Sequence, residues 1–458
     1  MFDELVEEVT RRIEATEGRE RSRRQTDQQC FEHSVKVTLA DLWKSVRSMP
    51  LAECSINKRS GYYSEVPIRY RDPLLTYRQH IAVHEGLLKL GFIEITQNGF
   101  FDREALQGDL TRYIAQDELL ERLTELDGHP AFNFKPDVNA ETIILRDKVD
   151  GKKRDVDYVN TPSTERYRDN LNKINRCFLR HWVDLDIKDK DIPAFEDAVG
   201  KKNKQPLDFS KRTLVRIFSN GSFKEGGRFY RGWWQNIPSE YRKFISINRK
   251  RTAEVDFSQM SPHLLYIANY KELGSEDAYD RVLDGEHRDI VKAAFNAMVQ
   301  ASSVLKSCPN DIDMSALEMS WVDLRDKILS AHKPISDQFF KSVGNKLQFK
   351  DSCIAERIML NFADMDAPTL PVHDSFICHH GYAETGEIEE IMRKAFFEEM
   401  NEHISKVDTE ILPWSYYKED NTPNSASVDQ VLSALDESSQ WENRHHLWEE
   451  SMRQGNTG

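Results

Sequence analysis

The spacing of apolar residues predicts helices and one hairpin in the first part of the chain. Leu74, Tyr77, Ile81 and Leu88 recur at helical spacing, and Gly91 is suited to end that helix. Residues 92–96 then alternate like a strand, Asn98-Gly99 favours a tight turn, and a second strand is expected at 100–101. The pattern therefore predicts helices followed by a β-hairpin.

Helices followed by a hairpin are typical of a winged-helix-like, nucleic-acid-binding region, which we assign to residues 31–190. The alternative is an ordinary α+β segment that contains a hairpin. Residues 1–30 are expected to form a charged helix and a polar run that are loosely attached to this region.

The remaining pattern predicts an α+β fold with a second unit over residues 195–410. A hairpin is expected around Asp150-Gly151, and a helix over 164–183. The charged connector 188–191 before Pro193 suggests the main domain boundary. Residues 411–458 form an acidic tail, in which Trp441 and Trp448 are expected to dock a terminal helix.

Charge and composition narrow the functional classes. The net charge of −14 disfavours a nucleic-acid partner, but between residues 201 and 251 there are 14 Lys and Arg against 3 Asp and Glu. Such a basic stretch suits a polyanion, although a solvated surface is an equally good explanation. No apolar run is long enough for a membrane helix, no secretory signal is present, and the six cysteines are scattered, so we expect a cytoplasmic protein without a membrane partner.

Three segments after residue 220 carry the candidate chemistry. A short apolar strand ends at Asp256, before Ser261 and Pro262, which are suited to begin a helix. Two further apolar strands flank a tight turn that presents Asp374. Between them, a predicted helix carries three polar residues on one face at i, i+4 and i+8, namely Arg288, Lys292 and Asn296.

This set of residues is suited to phosphoryl transfer to a nucleotide. Two carboxylates, Asp256 and Asp374, can hold two Mg²⁺ ions about 3.5–4 Å apart, with Mn²⁺ as a substitute. The cations Arg288 and Lys292 can bind a triphosphate and neutralise its developing charge. The chemistry requires carboxylates and cations and no nucleophilic Ser or Cys.

The three segments resemble motifs A, B and C of the right-hand palm of family A polymerases. That palm is shared by DNA polymerase I and the single-subunit, phage-type RNA polymerases. Asp256-Phe257-Ser258-Gln259 is similar to motif A of DNA polymerase I, whereas His373-Asp374-Ser375-Phe376 resembles motif C of the phage-type enzymes. Upstream, Gly226-Gly227-Arg228 is similar to a Gly-Arg element of the phage-type enzymes that contacts the template hybrid.

The resemblance, which covers residues 220–400, implies a template-dependent nucleotidyltransferase, a DNA or RNA polymerase or a primase-like enzyme. Its partners would be a template, a primer or nascent strand, and NTP or dNTP. It implies that Asp256 and Asp374 ligate the metals and that Lys292 acts with them in catalysis. The nucleotide-binding residues would be Arg288, Lys292, Asn296, Ser258, Gln259 and Ser261. The nucleic-acid-binding residues would be Gly227, Arg228 and His373, joined by Lys243, Arg249 and Lys250 of the basic stretch.

The chain departs from the family pattern at several positions. Gln300 stands where the family carries an aromatic residue eight positions after the lysine, and Ser261 stands where the DNA polymerases carry a glutamate that excludes a 2′-hydroxyl. Only 118 residues separate Asp256 from Asp374, which implies reduced fingers. Two alternatives stay open: a non-catalytic DNA-binding replication initiator or regulator with a relic palm, and a template-independent terminal transferase.

Overall fold

The structure, a computed structural model, describes residues 1–48, 52–102, 107–126, 133–134, 137, 140–203, 206–404, 407–411 and 444–455. Within them the fold is a mixed α+β arrangement. The α-helices are α1 (Phe2–Glu17), α2 (Gln25–Val46), α3 (Ser60–Glu65), α4 (Tyr77–Lys89), α5 (Asp117–Thr124), α6 (Pro162–Arg180), α7 (Ile192–Lys202), α8 (Met260–Ala268), α9 (Arg288–Gln300), α10 (Trp321–Ala331), α11 (Gly344–Asp364), α12 (His380–Glu384), α13 (Glu387–Met400) and α14 (Arg444–Gly455).

The strands form several small sheets. They are β1 (Cys54–Ile56), β2 (Ile93–Gln97), β3 (Phe100–Asp102), β4 (Gln107–Asp109), β5 (Thr111–Ala115), β6 (Ile143–Val149), β7 (Lys152–Asp155), β8 (Val183–Leu185), β9 (Val215–Ser219), β10 (Ser222–Tyr230), β11 (Ile245–Ile247), β12 (Thr252–Phe257), β13 (Leu370–Val372), β14 (Ser375–His379) and β15 (Val407–Ile411). Two sheets have four strands each, of order β10-β9-β6-β7 and β13-β14-β12-β15, and all of their strands follow residue 142.

The buried apolar residues between positions 5 and 126 form the first of two hydrophobic cores. In it, helices pack on a three-stranded antiparallel sheet of order β1-β5-β2. Helix α1 is part of this core, which differs from the loose attachment that its charges suggested. Ile13 of α1 is fully buried against Gly86 of α4, where an added Cβ would lie 2.2 Å from the Ile13 methyl group. The apolar stripe of α1 therefore outweighs its charged face.

The predicted hairpin after Phe92 is present, but its turn lies elsewhere. Strand β2 pairs with β5, and β3 pairs with β4, so the two pairs form one long ribbon. Asn98-Gly99 lies along this ribbon rather than at its tip, and the Gly99 backbone N–H donates to the Thr111 hydroxyl. The tip is the connection between β3 and β4, which lies outside the described residues.

The second core contains buried apolar residues from Ile143 to Ile404. The connector 188–191, where we expected the main boundary, lies inside the span of this core because β8 pairs with β11 across it. The hairpin predicted around Asp150-Gly151 is confirmed, with both turn residues at positive φ and β6 paired with β7. The helix predicted for 164–183 is α6, which a capping box at Thr161 and Thr164 begins slightly earlier.

Most of the acidic tail lies outside the described residues, including Trp441. Helix α14 is described, and its Trp448 ring lies 5.7 Å from the ring of Trp182. The prediction that Trp448 docks a terminal helix is confirmed. No helix in the described parts of the chain combines the length and the apolar character that crossing a membrane requires.

Candidate active site

The two candidate carboxylates lie at one end of the sheet β13-β14-β12-β15. In this antiparallel sheet, Asp256 on the central strand β12 stands opposite Ser375 of β14 on one side and Asp408 of β15 on the other. Asp374 directly precedes Ser375, in the two-residue turn between β13 and β14. His373 of that turn has φ of 60°, a left-handed conformation that lets the strands reverse tightly. One sheet therefore brings both carboxylates to one place, Asp256 at the end of a strand and Asp374 in a hairpin turn.

A cavity of about 630 Å³ opens between these strands and the 3-10 turn Ser239–Phe244. It is wide enough for a nucleotide-sized ligand. Its walls combine acidic and basic side chains. It is lined by Ser239, Glu240, Arg242, Lys243, Glu254, Asp256, Val372, His373, Asp374, Ser375, Asp408 and Thr409.

Among the residues that line this cavity, carboxylates outnumber the side chains of Lys and Arg. Burial, and then the neighbouring charge of Asp374, raise the pKa of Asp256, while Lys292 of α9 opposes that rise. The Oδ1 atom of Asp256 is buried and has no hydrogen-bond partner among the described residues. An uncompensated buried carboxylate oxygen of this kind is suited to a cation.

The turn after Asp256 differs from the predicted helix start. Helix α8 begins at Met260 with Gln259 as its N-cap at φ of 59°, so Ser261 lies within the first turn and does not cap. The Gln259 side chain instead accepts a hydrogen bond from the backbone N–H of Ala278. Ser258 is buried, and Ser261 is half-buried. Three of the predicted nucleotide-binding residues therefore lie next to Asp256 in the chain, outside the cavity wall.

Helix α9 brings its predicted polar face toward the site. Lys292 is exposed, and its charge acts on Asp256. Arg288 pairs with Asp277, with 2.9 Å between its Nη2 and the carboxylate. The guanidinium of Arg288 also lies 5.2 Å from the ring centre of Tyr279. Asn296, two turns along α9, is half-buried.

The predicted nucleic-acid-binding residues fall into two places. Lys243 lines the cavity, and Arg228 lies close enough to Asp374 for the two charges to interact. Arg249 and Lys250 lie in the turn before β12, at the other end of that strand from Asp256. Six residues of extended chain span about 20 Å, so these two cations are remote from the cavity.

Much of the basic stretch between residues 201 and 251 is committed to internal pairs. Arg216 is fully buried against Glu356, and Arg228 pairs with Asp351. Other pairs join Arg242 to Glu254, Arg251 to Glu384, and Lys201 to Asp197. A count of charges along the sequence therefore overstates the basic surface.

The sequence analysis missed three acidic residues of this region. Glu254, two positions before Asp256 on β12, accepts hydrogen bonds from Arg242 and from Ser375. The period of two along a strand was a signal for Glu254. The position of Asp408 beside Asp256 depends on the register of β15, and the position of Asp351 depends on the rotation of α11. No local sequence pattern indicates this register or this rotation.

A separate group of metal-ligand types lies at the end of α6. Cys177, His181 and Asp366 place their ligand atoms within 4.8 Å of one another. The Asn248 side chain contacts His181 Nδ1 at 3.0 Å, and its carbonyl accepts from the Trp182 backbone. Asn248 therefore donates to Nδ1, and the proton of His181 lies on Nε2, which faces Asp366 at 3.3 Å. His181 and Asp366 therefore form a close pair beside Cys177.

Comparison with known proteins finds likeness among solved structures and none among protein families or curated sequences. No protein-family model matches the chain, and no curated protein does so at a significant level. Among solved structures, it is similar to the POL domain of Pol1 from M. smegmatis, in complex with DNA primer-template and dNTP. The sequence identity is 13%, the TM-score is 0.31, and the match covers 49% of this chain and 52% of that one. The chain thus spans about half the length of that polymerase domain.

Proposed function

We propose that this protein is a template-dependent nucleotidyltransferase whose metal ligands are Asp256 and Asp374. One observation carries the proposal. Two carboxylates, one at the end of strand β12 and one in the β13–β14 turn, share a cavity with the exposed cation Lys243. The charge of Lys292 acts on Asp256, and Asp256, Lys292 and Asp374 follow the chain order of motifs A, B and C. Two-metal nucleotidyl transfer needs this combination of carboxylates and cations.

The donor set fits Mg²⁺ or Mn²⁺. The side chains around Asp256 that face the cavity offer carboxylate and hydroxyl oxygens, which these hard cations prefer. The buried, unpartnered Oδ1 of Asp256 is an oxygen that a cation would satisfy. Held by Asp256 and Asp374, two such ions would supply charge that activates a 3′-hydroxyl and stabilises a departing pyrophosphate.

Other residues would bind the nucleotide and the nucleic-acid strands. Lys292 and Arg288 on α9 would bind the triphosphate, for which Arg288 would exchange its pair with Asp277. Asn296, Ser258, Gln259 and Ser261 would surround the base and sugar. Lys243, His373 and Arg228 would contact the template or the primer end, with Gly227 allowing a close approach of the backbone. In this proposal, residues 195–410 are a palm with reduced fingers.

We further propose that the first core is a winged-helix-like unit that binds nucleic acid. The element order supports this proposal: α2, β1, α3, α4, β2 and β5, with the sheet order β1-β5-β2 and a long ribbon between β2 and β5. In winged-helix proteins the helix before the ribbon enters a groove of DNA. Here that helix is α4, which exposes Arg78 and Lys89.

The experiment is primer extension with all eight nucleotides in Mg²⁺, comparing the wild type with Asp256→Asn and Asp374→Asn. Each substitution removes one charge from the paired carboxylates, so we expect incorporation to fall below detection with an unchanged melting temperature. Asp326→Asn is a matched control, because this aspartate is 58% exposed on α10 and does not line the cavity. Near-normal extension by either cavity variant would refute the assignment.

The same assay separates the alternatives. Extension of a single strand without regard to template would indicate a terminal transferase. Binding of DNA without incorporation under any metal condition would indicate a non-catalytic initiator or regulator.

A further inference from the structure

Two arginines of the β9–β10 ribbon hold it against helix α11. Arg216 is fully buried, and its Nη1 lies 2.9 Å from the Glu356 carboxylate. Its Nε donates to the carbonyl of Gly227 and its Nη2 donates to the Ser352 hydroxyl, at 2.9 and 3.1 Å. Arg216 therefore fixes the backbone of β10 just before Arg228.

The second arginine differs because it is only partly buried. Arg228 Nε donates to Asp351 Oδ2 at 2.8 Å, and Nη2 lies 2.6 Å from the same oxygen in an ion pair. The Asp351 side chain is 5% exposed, whereas that of Arg228 is 25% exposed. Among the described residues no other hydrogen bond of Arg228 is found, so the N–H groups of Nη1 stay available for a ligand.

The guanidinium of Arg228 pairs with this buried carboxylate and is near enough to the His373-Asp374 turn for their charges to interact. The charge of Asp374 acts on both Arg228 and Asp351. Burial, and then the charge of Arg228, lower the pKa of His373. Arg228 is therefore within electrostatic range of the candidate catalytic carboxylate of Asp374. A guanidinium in such a place is suited to a phosphate of the strand whose end must reach Asp374.

Two glycines allow the backbone of β10 to come close to helix α11. Gly226 and Gly227 have φ of 72° and 80°, and the pairing of β9 with β10 shifts register on both sides of Gly226. A Cβ on Gly227 would lie 2.9 Å from the Ser352 hydroxyl and 3.0 Å from the Phe218 ring. The glycines let β10 bulge onto α11, which brings Arg228 within reach of Asp351.

We propose that Asp351 is a positioning residue, which acts through Arg228 to hold that guanidinium against the nucleic-acid strand at the candidate active site. This inference rests on the proposed function. Asp351 itself is buried and contacts no substrate. Its role is to fix the direction of Arg228, because the charge-assisted Nε bond and the close Nη2 contact hold the guanidinium beside the buried carboxylate.

The test is a double-mutant cycle on Arg228→Ala and Asp351→Asn, with two readouts. The first is kcat and KM for insertion of one nucleotide on a primed template. The second is the affinity for the same primer-template without metal, measured by fluorescence anisotropy. Misplacing a positioned group by about 1 Å can cost on the order of 100-fold. We therefore expect Asp351→Asn to lower kcat by about 10- to 100-fold, with KM for the nucleotide little changed.

The decisive result is the double variant. If Asp351 acts through Arg228, the double variant is no worse than Arg228→Ala alone, both in kcat and in primer-template affinity. Asp351→Glu, which keeps the charge, should recover part of the activity. Glu356→Gln breaks the other pair, that of Arg216 with Glu356, and controls for a general weakening of the packing of α11. We expect it to lower the melting temperature but to show no coupling with Arg228→Ala.

Additive effects of Arg228→Ala and Asp351→Asn would overturn the positioning role, as would an equal loss of kcat in Glu356→Gln. Failure of the proposed function looks different: the wild type binds primer-template but incorporates nothing. In that case the affinity cycle still decides, because unchanged affinity in both single variants contradicts the inference.

Discussion

At the scale of single residues, Ser261 leads to a prediction about sugar selection. In the family that the chain resembles, a glutamate at this position crowds the 2′ side of the incoming sugar. Serine is much smaller and can hydrogen-bond a hydroxyl. Since exclusion needs a clash or an unpaired buried group, we expect ribonucleotides to be inserted as well as deoxyribonucleotides, or better. Ser261→Glu should shift the preference toward dNTPs.

Parallel kinetics of NTP and dNTP insertion by the wild type and Ser261→Glu measure this effect. A strong dNTP preference in the wild type that Ser261→Glu leaves unaltered would place the sugar gate at another residue. Phe257 and Asn296 are the alternatives, and Phe257 is fully buried in the second core.

Single residues also show how far the sequence could predict the site. Asp256 and Asp374 were identified because each ends or separates a short apolar strand, which is a local pattern. Asp351 lies in a helix whose buried face carries polar as well as apolar residues, including Ser352 and Glu356. Only the three-dimensional position of Arg228 explains why a buried carboxylate is tolerated there, and the sequence does not contain that information locally.

At the scale of elements, a buried histidine joins the parts that surround α9. His332, just after α10, is fully buried. Its Nδ1 lies 3.1 Å from the Tyr266 hydroxyl of α8, and its Nε2 lies 3.0 Å from the carbonyl of Ala278. Since a carbonyl only accepts, Nε2 carries the proton and Nδ1 accepts from Tyr266. One neutral ring thus links three segments between Asp256 and Asp374.

This linkage predicts a loss of stability in acid. Burial, and then the charge of Arg281, lower the pKa of His332 from 6.5 to about 4. The unfolded chain binds the proton at a higher pH than the folded chain. The stabilisation that neutral His332 gives to the folded state is therefore complete above pH 6.5 and is lost as the pH falls toward 4. It amounts to about 3 kcal/mol of unfolding free energy.

Urea unfolding between pH 4 and 7 checks this prediction. His332→Gln cannot titrate, so its unfolding free energy should depend less steeply on pH than that of the wild type. His446→Gln is the control, since His446 is 66% exposed on α14. Equal pH slopes in the wild type and His332→Gln would contradict the assignment. His84, buried in the first core with its pKa also lowered to about 4, contributes its own slope to both proteins.

Elements were predicted from sequence with unequal success, for a physical reason. The turns at Asp150-Gly151 and His373-Asp374 were correct because each two-residue turn directly joins paired strands. The turn predicted at Asn98-Gly99 was wrong in place, since the ribbon continues past it into β3 and β4. The place where a ribbon turns is decided by strand partners that are distant in sequence, and the turn residues alone do not indicate those partners.

At the scale of the whole molecule, the two separate cores predict two unfolding transitions. The apolar clusters share no residue, and polar contacts such as those of Arg69 with Glu141 and of Lys44 with Asp208 connect their surroundings. We expect differential scanning calorimetry to resolve two steps. Mg²⁺ with a nucleoside triphosphate should raise only the transition of the second core, because a ligand stabilises the unit that binds it. A single transition with matching calorimetric and van't Hoff enthalpies would show one cooperative unit instead.

The distribution of charge leads to the last prediction, which concerns salt. If the exposed cations follow a phosphate backbone, log affinity falls with log salt concentration by about 0.7–0.9 for each neutralised phosphate. Charge reversal at Lys243, Arg249 or Lys250 should therefore flatten the slope by about one such step each. Lys201→Glu is the matched control, because Lys201 is 76% exposed but paired with Asp197 on the same helix. Anisotropy titrations between 50 and 200 mM salt measure the slopes. Binding that ignores salt, or equal flattening by Lys201→Glu, would mean that these cations are an ordinary solvated surface.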